Sequence, residues 1–310
     1  MYQHFNIREL LEDLGYTQLT ELPKEYRTSA LYRSGDNKSA LSIKKDTGFW
    51  IDYVLGMSGT FPELVKLTLK LESVDEAQQW LKGKNVNFTV QAQKPIKQVA
   101  APKVYNNDLL IKLHKDYVYW INRGISKSVL EKFKGGMVYA GKMAGRFVFP
   151  IFNGKKQIVG FTGRDTYNNS NRPKWKHIGS TSDWVYPAHL NVKIIQEKKT
   201  VILVESIGDC LALYNMGIDY SLVTFGLNLS SAIINFLIKT DVRCIIIALN
   251  NDGSLTSPGN KAALKMKEKL SHYFDADKIE IALPDKKDFG EMTVEEIKLW
   301  NSKRPCQPLV

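Results

Sequence analysis

Between residues 200 and 300 the chain alternates short β-branched runs with amphipathic stretches, and the apolar runs stop abruptly on acid or amide side chains. Strands are expected over residues 200–205, 220–224, 243–249 and 278–283. Helices are expected over residues 207–216, 229–239, 260–274 and 293–300. This rhythm restricts the segment to a compact α/β unit with a mostly parallel sheet. Parallel strands end together, so their C-terminal side chains should meet on one edge, the usual ligand edge of an open α/β sheet. Glu205 and Asp209 follow VILV, Asn250, Asn251 and Asp252 follow CIIIAL, and Asp288 and Glu291 follow ALPDKK. Clustered carboxylates in a chain of net charge +11 suit magnesium, which takes hard oxygen ligands and shares them with substrate phosphates.

The rest of the composition narrows the class. With 310 residues, 44% of them hydrophobic, the chain can bury a good core and is expected to hold two or three domains. No apolar run is long enough for a membrane span, and the N-terminus lacks a signal-peptide pattern. Cys210, Cys244 and Cys306 are widely spaced and form no CxxC pair, so neither a zinc site nor a disulfide framework is expected, and a reducing cytoplasmic setting fits. Positive charge concentrates in mid-chain, at Lys142, Arg146, Lys155, Lys156, Arg164, Arg172, Lys174 and Lys176. Trp175, His177 and Trp184 interleave with these cations. Cations follow phosphates and aromatic rings stack on bases, which is the make-up of a groove for a single strand. A solvated face over core tryptophans has the same composition.

Texture changes mark the domains. Residues 7–14 form an amphipathic helix with Ile7, Leu10, Leu11 and Leu14 on one face. Strands at 39–43 and 49–54 flank a turn at Lys45–Gly48, and helices follow at 61–71 and 74–81. Residues 84–103 are polar, carry two prolines and lack periodicity, as a linker does. A helical pair is expected at 107–123 and 126–134, with Ser126 as an N-cap, and then a strand pair turning at Asn153-Gly154. The division is therefore 1–83, linker 84–106, 107–198, 199–303 and a tail at 304–310.

Strand–Glu205-x-x-Gly208-Asp209–helix, a strand ending on Asn250-Asn251-Asp252, and the Lys287-Asp288-x-x-Glu291 turn together resemble the TOPRIM domain. The segments GRFVFPIFNGKKQIVGFTGRD and RPKWKHIGSTSDWVYP resemble the basic subdomain that precedes TOPRIM in DnaG-type and phage primases. The N-terminal part follows the primase zinc-ribbon framework, but the four ligand positions fall at about Tyr32, Gly35, Asp52 and Leu55, which make no zinc set. The resemblance thus implies a zinc-ribbon-like module without zinc, held by packing of Trp50, Tyr53, Leu64 and Leu67. The fold class implied is α+β and α/β multidomain: a small N-terminal β module, a basic primase subdomain and a C-terminal TOPRIM domain.

The same resemblance implies an activity and its residues. A primase joins nucleotides into short RNA primers on single-stranded DNA, using Mg2+ or Mn2+. Glu205 and Lys174 would be catalytic. Glu205, Asp209, Asn250, Asp252, Asp288 and Glu291 would form the metal edge, with Asn250 standing where the family carries an acid. Arg146, Arg164, Arg172, Lys174, Trp175 and Lys176 would bind nucleotide or DNA. There is no GxxxxGK[ST] sequence, so a replicative helicase would be a separate partner, and the compact build resembles the phage members. A binding protein for single strands or a helicase, its active site decayed at Asn250, and a TOPRIM nuclease are the competing expectations.

Overall fold

A computed structural model describes residues 6–35, 37–84, 86, 103–167, 171–253 and 257–304. Two compact units emerge, one built on the N-terminal residues and one on the residues from 100 onward, except that 237–241 and 269–276 group with the first. Most of the expected linker and all of the expected tail but Arg304 lie outside the described residues.

The first unit begins with helix α1 (Ile7–Asp13), whose N-cap Asn6 accepts the Arg8 N–H through its side chain. Strands β1 (Thr20–Glu21), β2 (Glu25–Thr28), β3 (Leu41–Lys44), β4 (Trp50–Asp52) and β5 (Met57–Gly59) form an antiparallel sheet in chain order. The β3–β4 turn needs Gly48: its φ is +67°, and a Cβ there would lie 2.7 Å from Phe61 Cβ. Helix α2 (Phe61–Leu69) opens on a capping box, with Thr60 N–H donating to the Glu63 carboxylate at 2.6 Å, and α3 (Val74–Gly83) follows. The apolar faces of α1 and α2 meet the sheet around Leu11, Trp50, Phe61 and Leu64, all buried. Leu67 is partly buried against this core, whereas Tyr53 instead accepts a hydrogen bond from Arg27 and stacks under its guanidinium.

At the positions where the zinc-ribbon framework would carry its ligands, the chain places a charged hydrogen-bond network. The fully buried Asp52 carboxylate accepts from Tyr32 Oη at 2.6 Å, from Arg33 Nε at 2.7 Å and Nη2 at 3.3 Å, and from the backbone N–H groups of Val54 and Leu55. Packing alone is therefore not what ties Tyr32 to β4. Burial by itself raises the Asp52 pKa, but the hydrogen bonds from Arg33, Tyr32 and Leu55 outweigh it and hold the carboxyl below its ordinary value. A depressed folded pKa contributes stability above the unfolded value of about 3.9, and that stability disappears as pH falls through the folded pKa. Asp52→Ala is expected to destabilise the protein by about 3 kcal/mol, because it strands Arg33 and two backbone donors. Urea titrations at pH 7 and pH 3 check this, and the difference between wild type and variant should shrink at the lower pH.

The second unit starts with a 3-10 turn (Asn107–Lys112), then α4 (Val118–Ile121) and α5 (Lys127–Lys132). The single helix expected over 107–123 is broken, because His114 leaves the helical path to exchange two backbone hydrogen bonds with Met137, both 2.8 Å. Ser126 sits at the N-cap of α5 without a side-chain cap bond, since its hydroxyl pairs with that of Ser128. Strands β6 (Gly136–Val138), β7 (Arg146–Phe152), β8 (Ile158–Asp165) and β9 (Trp175–Ile178) form an antiparallel sheet in chain order. Trp184, expected among the stacking aromatics, is buried instead. It lies against Gly160 of β8, where a Cβ would come within 2.3 Å of the indole.

After α6 (Ala188–Lys198), the alternation expected from the sequence is present: β10 (Thr200–Val204), α7 (Ile207–Asn215), β11 (Ser221–Val223), α8 (Ser231–Lys239), β12 (Cys244–Ala248), α9 (Pro258–Ser271), β13 (Ile279–Ile281) and α10 (Val294–Ser302). The sheet is wholly parallel, in the order β11-β10-β12-β13. β10 and β12 are buried along their whole length, as strands covered on both faces must be, which is why they read as continuous apolar runs. Cys210 is a free buried thiol, whereas Cys244, expected as a second buried thiol, is disulfide-bonded. Among the described residues no helix is long and apolar enough to cross a membrane.

Candidate active site

Strand ends and the two loops beside them assemble the acidic edge. Glu205 is the residue immediately after β10. Next to it, Ser206 caps α7, and its N–H and hydroxyl donate to Asp209 at 3.1 and 2.7 Å. Ser206 and Asp209 thereby complete a capping box at the start of α7. The other oxygen of the buried Asp209 accepts the Phe289 N–H at 3.2 Å, so this side chain fastens the Asp288 turn to the start of α7. Burial pushes the Asp209 carboxyl up to about 7, against the hydrogen bonds from Ser206 and Phe289.

The segment after β12 is held by its amides. Asn251 N–H donates to Lys287 O at 2.8 Å and its Nδ2 donates to Pro284 O at 3.0 Å. Asp252 Oδ2 accepts the Gly259 N–H at the start of α9. Asp288 caps its own turn by accepting the Glu291 N–H at 3.1 Å. Glu205 gathers the consequence. Burial raises its pKa, the Asp252 carboxylate raises it further, the Asn250 N–H and Lys174 work in the other direction, and Asp288 adds to the rise. Three carboxylates thus press charge on one spot.

Facing this edge is a pocket of about 450 Å³, within the range of small-molecule sites. Its floor comes from β8 and β9, with Thr162, Arg164, Trp175 and His177, and Lys174 lies just before β9. Arg164 Nε donates to Tyr119 Oη at 2.9 Å, and its guanidinium lies 5.7 Å from the Trp175 ring centroid. The loop after β11 adds Phe225 and Gly226. Phe225 has φ +56°, a costly conformation for a bulky side chain, and packs edge-on against Trp184 and His177.

The expected site residues fall into three places. Glu205, Asp209, Asn250, Asp288, Glu291, Arg164, Lys174 and Trp175 line the pocket. Asp252 stands beside it, close enough to act on Glu205. Arg146, Arg172 and Lys176 are outside the lining. Arg146 is 1% exposed and donates to the carbonyls of Gly163 and Pro173 at 3.2 and 2.8 Å. Arg172 donates to Ala144 O and Lys176 to Lys142 O, at 2.7 and 2.9 Å. The sequence reasoning missed one wall altogether: Tyr119, Trp120 and Arg123, from α4 and the turn after it. The signal is an aromatic pair followed by Arg123-Gly124, inside a segment whose periodicity is that of an ordinary helix.

The fit to a divalent cation follows from the donor set. Mutual repulsion among Glu205, Asp252 and Asp288 is what a cation relieves, and Asn250 offers a neutral oxygen. Asp209 does not fit as a ligand, because both of its oxygens are engaged by Ser206 and Phe289. Among the described residues no three His, Cys, Asp or Glu side chains form a cage for one ion. The arrangement suits a cation shared with substrate phosphate.

Residues 202–293 match the Toprim-like family model. The chain is 28% identical over 220 residues to the DNA primase of Buchnera aphidicola subsp. Baizongia pistaciae, covering 58% of this chain and 37% of that primase. The chain thus spans little more than a third of that relative. Among solved structures it is similar to the DnaG primase catalytic domain bound to ssDNA, with TM-score 0.54 and 18% identity over 65% of this chain and 77% of that one. It is also similar to the RNA polymerase domain of Mycobacterium tuberculosis primase DnaG, with TM-score 0.51 and 16% identity over 61% and 75%. At these identities the structures speak for the fold, and the sequence relatives carry the kinship. The family that generally uses divalent metal ions is therefore the one this donor set fits. Together the matches show a Toprim-like domain over residues 202–293, in a chain similar in sequence to DNA primases and in fold to DnaG catalytic domains.

Proposed function

We propose that this chain is a primase-type nucleotidyltransferase, which makes short RNA primers on single-stranded DNA. The carrying observation is one pocket that sets a carboxylate edge, Glu205 and Asp288, against a cationic and aromatic floor, Arg164, Lys174 and Trp175. A magnesium or manganese ion at that edge would lower the pKa of the attacking 3′-hydroxyl and offset charge on the leaving pyrophosphate. Glu205, Asp252 and Asp288, with Asn250, would hold it. Lys174 and Arg164 would bind phosphate oxygens as charge-assisted donors. Trp175, paired with Arg164, offers a base a stacking face. Asp209 keeps the two acidic loops in register. Single-stranded template, nucleoside triphosphates, a separate helicase and a cytoplasmic setting follow from this reading.

Asn250 favours a second reading, a single-strand-binding protein without catalysis, since it removes one negative charge from the edge. Incorporation of labelled nucleoside triphosphates on mixed-sequence single-stranded DNA separates the two. Short RNA products with magnesium or manganese are expected. Binding of the strand with no product in either metal would establish the second reading instead. Cleavage of the strand without any nucleotide requirement would point to a nuclease.

A further inference from the structure

The β8–β9 register stacks two cross-strand pairs on the pocket floor. Arg164 is directly opposite Trp175, and Thr162 is directly opposite His177, with Gly163 and Lys176 between them. All four paired residues line the pocket. Residues two apart on a strand share a face about 7 Å apart, so the floor has two tiers. The first is a cation beside a π face. The second is a hydroxyl beside an imidazole.

The second tier is built rigidly. Thr162 Oγ1 lies 2.9 Å from His177 Nδ1, and the ring is met edge-on by Trp184 and Phe225. Thr162 is fully buried and Trp184 nearly so, so they do not move freely. With Nδ1 engaged, Nε2 is the remaining polar atom of the ring and has no protein partner among the described residues. His177 is exposed at the pocket, and partial desolvation there lowers its pKa, so the ring is the weaker phosphate cation and the better hydrogen-bonding partner for a hydroxyl. In one tautomer Nε2 donates, and in the other it accepts. A hydroxyl, being donor and acceptor at once, satisfies either.

We propose that this floor selects ribonucleotides: Trp175 takes the base, and His177, steadied by Thr162, hydrogen-bonds the sugar 2′-hydroxyl. This rests on the nucleotide-binding reading of the pocket. The 2′-hydroxyl is the group that distinguishes RNA from DNA precursors. His177 touches substrate in this arrangement, and Thr162 is a positioning residue.

Equilibrium binding of ATP and 2′-dATP to the full chain, with manganese present, tests it. Wild type is expected to favour ATP by about 5- to 10-fold, the size of one net hydrogen bond. His177→Ala should bring the ratio close to one by weakening ATP, leaving dATP affinity unchanged as an internal control of the fold. Thr162→Val keeps the shape and should give an intermediate ratio, which decides the matter if His177→Ala does not fold. No preference in wild type, no binding of either nucleotide, or a ratio unmoved by both variants overturns the proposal, as does equal weakening of both nucleotides in a folded His177→Ala. The primase reading fails in a different way, through ATP that is bound with this preference and never incorporated.

Discussion

Glu205→Gln is expected to reduce the proposed primer synthesis by about 10²- to 10⁴-fold, the range for losing an essential acid–base or charge-bearing group. The amide keeps the side chain's shape and its acceptor toward the Asn250 N–H. What it removes is the negative charge that the chemistry needs. That same charge is uncomfortable in the metal-free protein. Burial and the carboxylates of Asp252 and Asp288 raise the Glu205 pKa, so the folded state holds this proton more tightly than the unfolded chain does. A raised carboxyl pKa makes stability fall as pH rises from the unfolded value toward the folded one. The variant lacks this loss. Glu205→Gln should therefore melt at the wild-type temperature or slightly above it at pH 7 without metal, while losing activity. A variant that loses activity and stability together would place Glu205 in the scaffold and not in the chemistry.

Arg146→Ala has the largest expected effect on stability, a loss of roughly 3–5 kcal/mol. The side chain is among the largest fully buried ones and is the bolt between β7, β8 and the segment leading to β9. Its removal deletes the hydrogen bonds to the carbonyls of Gly163 and Pro173 and opens a cavity beside Asp165. For a unit of about 200 residues this corresponds to a drop in Tm of about 10 °C. Activity should fall as well, because Pro173 and Lys174 carry the chain into the pocket. The discriminating result lies in salt dependence. A lost phosphate contact reduces the slope of log affinity for single strands against log salt by about one. Arg146→Ala, measured below its melting temperature, should leave that slope unchanged, whereas Arg164→Ala should reduce it.

These two residues also show what could be read without the fold. Glu205 was legible because a parallel strand advertises itself twice, once by a continuous apolar run and once by the polar residue that ends it. TVILV and CIIIA are buried throughout, and both stop at the pocket edge. Arg146 carried the same local signal as Arg164, a cation at a strand end. Nothing nearby in sequence distinguishes the one that turns inward to backbone carbonyls from the one that lies beside Trp175. Trp184 and Trp175 present the same ambiguity: Gly160 makes room for one indole in the core, while the other remains at the pocket.

By itself, then, the sequence determined the parallel Toprim-like sheet and its acidic edge, the N-terminal helix face and the strands around the Lys45–Gly48 turn. These follow from local periodicity, capping and turn chemistry, which act over a few residues. Tertiary structure alone decided the Asp52 network, the wall of Tyr119, Trp120 and Arg123, the broken helix at His114, and which cations face the pocket. Each of those rests on partners about twenty or more residues apart, such as Arg33 with Asp52, His114 with Met137 and Tyr119 with Arg164. Hydrogen bonds and burial set by such distant pairings leave no mark in a local window, so only the folded chain reveals them.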